Sequence, residues 1–140
     1  MKIAVIIVTC NRLKLLPRAL KSVSEQSRKP DLVYIVSNSS TENYEKEQKL
    51  CADFGFTILQ NQRTKNNAGA LNTAIEEIVK EANVNFSEIK AVAVSKGPGS
   101  YTGLRIGVSA AKGLCYALQI PLISIDTMQV LAKKANVDGL

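Results

Sequence analysis

Apolar and polar positions alternate along this chain in blocks whose period switches repeatedly between strand and helix. Ile3 to Thr9 is a continuous β-branched run closed by Asn11, the pattern of a strand buried on both faces of a parallel sheet. Leu15, Leu16, Ala19, Leu20 and Val23 then recur at helical spacing between Leu13 and Gln26, and Lys29-Pro30 stops them. Leu32 to Val36 predicts the next strand. Ser39, Ser40 and Thr41 offer N-cap oxygens to a helix over residues 43–54, which Gly55 ends, and Thr57 to Gln60 predicts a third strand. After a polar loop at residues 61–67, residues 68–81 read as a helix with Leu71, Ala74, Ile75 and Ile78 inward. A break at Asn83 to Ser87 precedes a strand at Ala91 to Val94, a tight turn at Gly97 to Gly99 and a long helix from Thr102 to Leu118. Pro121 to Ile125 predicts the fifth strand, and Asp126 or Thr127 the cap of a last helix reaching Ala135.

Regular alternation of strand and helix implies parallel pairing with right-handed crossovers. The expected fold is a single α/β domain over residues 1–140. It would be a three-layer, doubly wound, mainly parallel five-stranded sheet, Rossmann-like or flavodoxin-like, with strand order 3-2-1-4-5.

Composition narrows the chemistry. With 140 residues and 46% apolar content the chain can build a core without disulfides. Cys10, Cys51 and Cys115 form no CxxC pair and leave an odd one over, as buried thiols of a reducing compartment would. No apolar run is long enough for a membrane span, so a cytoplasmic protein without a membrane partner is expected. Histidine is absent, which removes Ser-His-Asp and Cys-His nucleophiles and every histidine-containing metal site. The net charge of +6 is scattered among helices with few aromatic residues, so nucleic acid is not the expected partner.

Two stretches carry family resemblances. Ile6-Ile7-Val8-Thr9-Cys10-Asn11-Arg12, with Leu16, Ala19, Ser22-Val23 and Gln26, resembles the opening of family 2 glycosyltransferases. Pro30, then Ile35-Val36-Ser37-Asn38-Ser39-Ser40-Thr41, and Asn66-Asn67-Ala68-Gly69-Ala70-Leu71-Asn72 extend the likeness over residues 1–80. This resemblance implies a nucleotide-sugar pocket at the carboxyl ends of the first two strands, lined by Thr9, Asn11, Arg12 and Asn38. Thr9, Asn11, Asn38 and Ser39 equally serve as caps of helices and turns. Where that family has an acidic residue in the second loop, this chain has Ser37 and Asn38. Its metal-holding Asp-x-Asp motif is replaced by Ala91-Val92-Ala93-Val94-Ser95-Lys96, so no metal, no cofactor and no catalytic residue are expected.

The run Ala91-Val92-Ala93-Val94-Ser95-Lys96-Gly97-Pro98-Gly99-Ser100-Tyr101-Thr102-Gly103-Leu104-Arg105-Ile106-Gly107 is similar to the signature of the YeaZ/TsaB family. It continues through Ala111-Lys112-Gly113-Leu114, Tyr116-Ala117-Leu118 and Ile120-Pro121-Leu122-Ile123. The resemblance implies an actin-like ATPase fold and a partner protein of tRNA threonylcarbamoyladenosine synthesis, one that supports a catalytic paralogue through helical surfaces. In physical terms Gly97, Gly99, Ser100 and Thr102 form a strand-to-helix turn that either binds an anion or only permits positive φ and caps the helix. Gly97, Gly99 and Gly103 give GxGxxxG, neither a Walker motif nor a dinucleotide fingerprint. Gly103, Gly107, Ala110 and Ala111 form a stripe that allows close approach, to a partner or to the chain's own sheet.

Together the two resemblances predict a recombinant or designed hybrid, 1–80 glycosyltransferase-like and 81–140 TsaB-like, joined within residues 70–82 and without complete native activity. Residual nucleotide-sugar binding and a TsaB-like interaction module are the alternatives. Segments missing from both parents would leave apolar surface bare, so a homodimer is also expected.

Overall fold

The computed structural model describes residues 2–60 and 67–137, the side chains of residues 67, 68, 70 and 133–137 excepted. Of the polar loop expected at residues 61–67, residues 61–66 lie outside the described residues. The chain divides into two compact units, Met1–Asn83 and Val84–Leu140.

The first unit runs β1 (Ala4–Thr9), α1 (Leu16–Ser24), β2 (Leu32–Ser37), α2 (Thr41–Asp53), β3 (Thr57–Gln60) and α3 (Asn67–Glu81). β2 is the middle strand, parallel to β1 with Thr9 opposite Ser37 and parallel to β3 with Ser37 opposite Gln60. Successive side chains point to opposite faces, so Val33 and Ile35 pack with Leu16, Leu20 and Cys51 under α1 and α2. Val36 packs with Ala74 of α3 on the other face, beside Ile6. The expected three layers are therefore realised within this unit. The strand buried on both faces is β2, in which Val33 to Ser37 are all buried, rather than β1, where Val8 is 42% exposed. Within this unit β1 is an outer strand that pairs with β2.

α1 starts later than the spacing suggests, because Pro17 occupies its first turn and residues 12–15 form a separate turn closed on the Arg12 carbonyl. α2 ends as expected at Gly55, whose φ of +68° suits glycine. A 3-10 turn at Phe86–Glu88, unforeseen in the sequence, is fixed by a capping box between Asn85 and Glu88.

The second unit contains β4 (Val92–Ser95), α4 (Tyr101–Leu118), β5 (Leu122–Ile125) and α5 (Thr127–Val137). β4 and β5 pair in parallel with Val94 opposite Ser124. α4 packs on one face of this ladder, where a Cβ added at Gly107 would lie 4.0 Å from Val94 Cγ2. Ala93, Ser95, Ile123 and Ile125 of the opposite face are exposed. The described strands form a three-stranded sheet, β1-β2-β3, and a two-stranded sheet, β4-β5, which match the two parts of the expected order 3-2-1-4-5 without showing one five-stranded sheet. Each ladder is set locally, because a strand and the one after its crossover helix are held in register by that helix.

Candidate functional site

Parallel strands deliver their following loops to the same edge of a sheet, and in the first unit β1 and β2 bring residues 10–12 and 38–40 together. The Asn38 amide donates to the Thr9 carbonyl at 2.9 Å, and the Cys10 thiol lies 3.5 Å from the Asn38 carbonyl. Asn11 adopts φ of 51°, in the left-handed region that asparagine tolerates better than most residues. Its amide donates to Ser39 Oγ at 2.7 Å. Its Oδ1 accepts from the Ser40 amide at 3.2 Å and from Asn43 Nδ2 at 2.9 Å. Asn11 therefore ties the first loop to the start of α2, meeting the amide of Ser40 and the side chain of Asn43. Ser40 is the N-cap of α2 but its side chain caps nothing, while the Asn11 carboxamide reaches across from the other loop.

Behind these loops lies a group that the motifs did not single out. Glu47 of α2 is fully buried; its Oε2 accepts from Ser37 Oγ at 2.5 Å and its Oε1 from Ser39 Oγ at 2.8 Å. The sequence held a signal for it: Tyr44, Glu47, Cys51 and Phe54 recur at the spacing of one helix face, so Glu47 falls on the inward stripe. The structure thus places a carboxylate under the second strand end, where Ser37 and Asn38 had suggested none. It comes from the helix and not from the loop. Thr9 is also buried, and its Oγ1 has no hydrogen-bond partner among the described residues.

Of the four residues expected to line a nucleotide pocket, Thr9 and Asn38 are joined by a backbone bond, Asn11 is tied to the second loop through Ser39 and Ser40, and Arg12 follows with an exposed side chain. The Arg12 carbonyl accepts the amides of Leu15 and Leu16.

In the second unit the Gly97–Ser100 turn connects β4 to α4. Gly97 has φ of +103°, which favours glycine, and a Cβ there would stand 2.8 Å from Leu104 Cδ1 and push that side chain aside. Ser100 is the N-cap of α4, its Oγ accepting the Gly103 amide at 3.4 Å. Gly99 and Thr102 are exposed. The Gly97 carbonyl accepts the Thr127 amide, and Ser95 Oγ lies 2.9 Å from Thr127 Oγ1. Lys96 Nζ sits 3.3 Å from Asp126 Oδ2, so the cation nearest the turn is already paired. Asp126, not Thr127, caps α5: its Oδ1 accepts the amides of Met128 and Gln129. Those two amides, and then the Lys96 ammonium, hold its carboxyl below the usual carboxylate value.

The cysteines differ from expectation in one respect. Cys51 and Cys115 are buried, but Cys10 is exposed, because it lies in the strand-end loop and not in β1. Among the described residues no group of three or more acidic or cysteine side chains is placed to hold a metal ion, and no helix is long and apolar enough to cross a membrane.

The strand-end loops and crossover helices define an α/β protein built from parallel units. The family model "TsaD: tRNA N6-adenosine threonylcarbamoyltransferase" matches residues 40–139, and the chain belongs to this family. The match begins well upstream of the join expected at residues 70–82, taking in α2 and β3. Among its relatives, the tRNA threonylcarbamoyladenosine biosynthesis protein TsaB of Bacillus subtilis is 35% identical over 77 residues, covering 54% of this chain and 34% of the relative. TsaB of Buchnera aphidicola is 42% identical over 60 residues, covering 43% and 27%. The solved structure of YeaZ from Pseudomonas aeruginosa covers 51% of this chain and 35% of its own at 34% identity, with a TM-score of 0.45. The chain spans about a quarter to a third of the length of these TsaB relatives. These matches concern the second of the two resemblances, and the glycosyltransferase likeness of residues 1–80 gains no support from them.

Proposed function

We propose that the chain is a TsaB-like interaction module of tRNA threonylcarbamoyladenosine synthesis, without catalytic activity of its own, that supports a threonylcarbamoyltransferase partner. The observation that carries this reading is the family match over residues 40–139, with the unbroken run from Ala91 to Gly107 laid on β4, the glycine turn and the start of α4. The chemistry of α4 agrees with it. The helix carries no carboxylate, and it leaves Tyr101, Arg105, Lys112 and Tyr116 exposed, the two tyrosines at 74% and 81%. Exposed tyrosines beside cations are the side chains that protein interfaces favour. Co-purification with the threonylcarbamoyltransferase tests the proposal. A stable complex that Tyr116→Ala weakens is the expected result, and self-association with no complex would overturn it.

A second reading attaches to the first unit, and we confine the hybrid character to residues 1–39, upstream of the family match. The cross-loop hydrogen bonds of Asn11 fix an edge at Thr9, Asn11, Arg12 and Asn38 where Arg12 can meet a phosphate-bearing ligand such as a nucleotide. Calorimetry with uridine diphosphate, with and without manganese, should give saturable heat that Arg12→Ala removes. No heat from the unaltered protein would retire this reading.

A further inference from the structure

We propose that Glu47 is the positioning residue of the β1–β2 strand end, fixing through Ser39 the conformation in which residues 10–12 present Asn11 and Arg12. The inference rests on the second reading above for its ligand, but not for its geometry. A carboxylate can only accept hydrogen bonds, so the single protons of the Ser37 and Ser39 hydroxyls are both committed to Glu47. Ser39 Oγ is then left with lone pairs alone on its outer side, and the Asn11 amide donates to them at 2.7 Å. The polarity of the chain from Asn11 through Ser39 to Glu47 is thereby set at its buried end. It acts where help is needed, because Asn11 sits at φ of 51°, a conformation that disfavours side chains by roughly 1–2 kcal/mol in the general case.

Burying a charged group is costly, and an apolar residue at this inward position of α2 would pack without that cost. A carboxylate on the apolar stripe is thus better explained by what it orients than by what it stabilises. Glutamine in its place has nearly the same shape but one acceptor and two donors. It cannot accept from both serines through equivalent oxygens, so at least one hydroxyl must turn.

The test is amide hydrogen exchange followed by NMR on the full chain. In Glu47→Gln the Asn11 amide should exchange about tenfold faster, as loss of one hydrogen bond implies, while the β2 amides keep their protection. Ser39→Ala, which removes the acceptor of Asn11 but leaves Ser37 on Glu47, should give the same local change and guards against a Glu47 variant that fails to fold. Unchanged Asn11 protection in both variants would overturn the proposal, as would an equal loss across β2, which marks a merely structural role. Uridine diphosphate is the probe for the ligand arm. Weaker binding by Glu47→Gln than by the unaltered protein supports the positioning role, and equal binding overturns it. No binding by the unaltered protein ends the ligand reading alone, leaving Glu47 to be judged by exchange.

Discussion

Burial and the neighbouring Glu47 charge, in that order, push the Cys51 thiol up to about 11. The thiolate is the reactive form, so Cys51 should be inert at pH 8, while the exposed Cys10 should alkylate readily. Mass spectrometry after brief iodoacetamide treatment should find the label at Cys10, and early modification of Cys51 would show that α2 opens. Tyr34 offers a second check. It is buried in the middle of β2 with no partner for its hydroxyl among the described residues, and an unpaired buried hydroxyl costs on the order of 1 kcal/mol or more. Tyr34→Phe should therefore leave stability unchanged or raise it by about 1 kcal/mol in urea unfolding. A loss of that size would mean that the hydroxyl has a partner.

At the scale of elements, α5 depends on one titrating cap. The Asp126 carboxyl is held below its ordinary value of 3.8 mainly by the amides of Gln129 and Met128. A group whose folded value is depressed stabilises the fold above its unfolded value, and that contribution disappears as pH falls through the lower, folded value. Helix content should thus drop in strongly acidic solution by an amount that Asp126→Asn abolishes, since asparagine accepts the same bonds without titrating. Identical acid profiles for both proteins in far-ultraviolet circular dichroism would count against the cap.

Most elements were legible because their signals are local. The apolar run of β2, the period of α1 and the glycine after α2 each act within a few residues, so these elements are found where expected, with α1 shorter at its start because of Pro17. What escaped depends on neighbours distant in sequence. A run such as Ile3 to Val8 does not say which of its flanks will be paired, and so β1 was expected to be buried. The tie at the start of α2 escaped for the same reason, since its oxygen comes from Asn11, 29 residues before the Ser40 amide that it meets. Glu47 was visible in the helical period but not in any motif. Its role appears only when β2 sets Ser37 beneath it and the following loop adds Ser39.

At the scale of the molecule, one half is left with a bare surface. Parallel sheets normally bury both faces, yet α4 covers only one face of β4-β5, while Ile123 and Ile125 of the other are 51% and 41% exposed. Met128, Val130 and Leu131 at the start of α5 are exposed as well. Exposed apolar surface on this scale binds hydrophobic dyes, so the isolated chain should enhance anilinonaphthalene sulfonate fluorescence at neutral pH. Replacing Ile123 and Ile125 together by serine removes two side chains that are about half exposed, so dye binding should fall by about half while helix content is kept. If the unaltered protein leaves the dye dark, that face is covered in solution. A rise in dye binding with the double replacement would mean instead that the isoleucines hold β5 in place, and that their apparent exposure conceals a packing role.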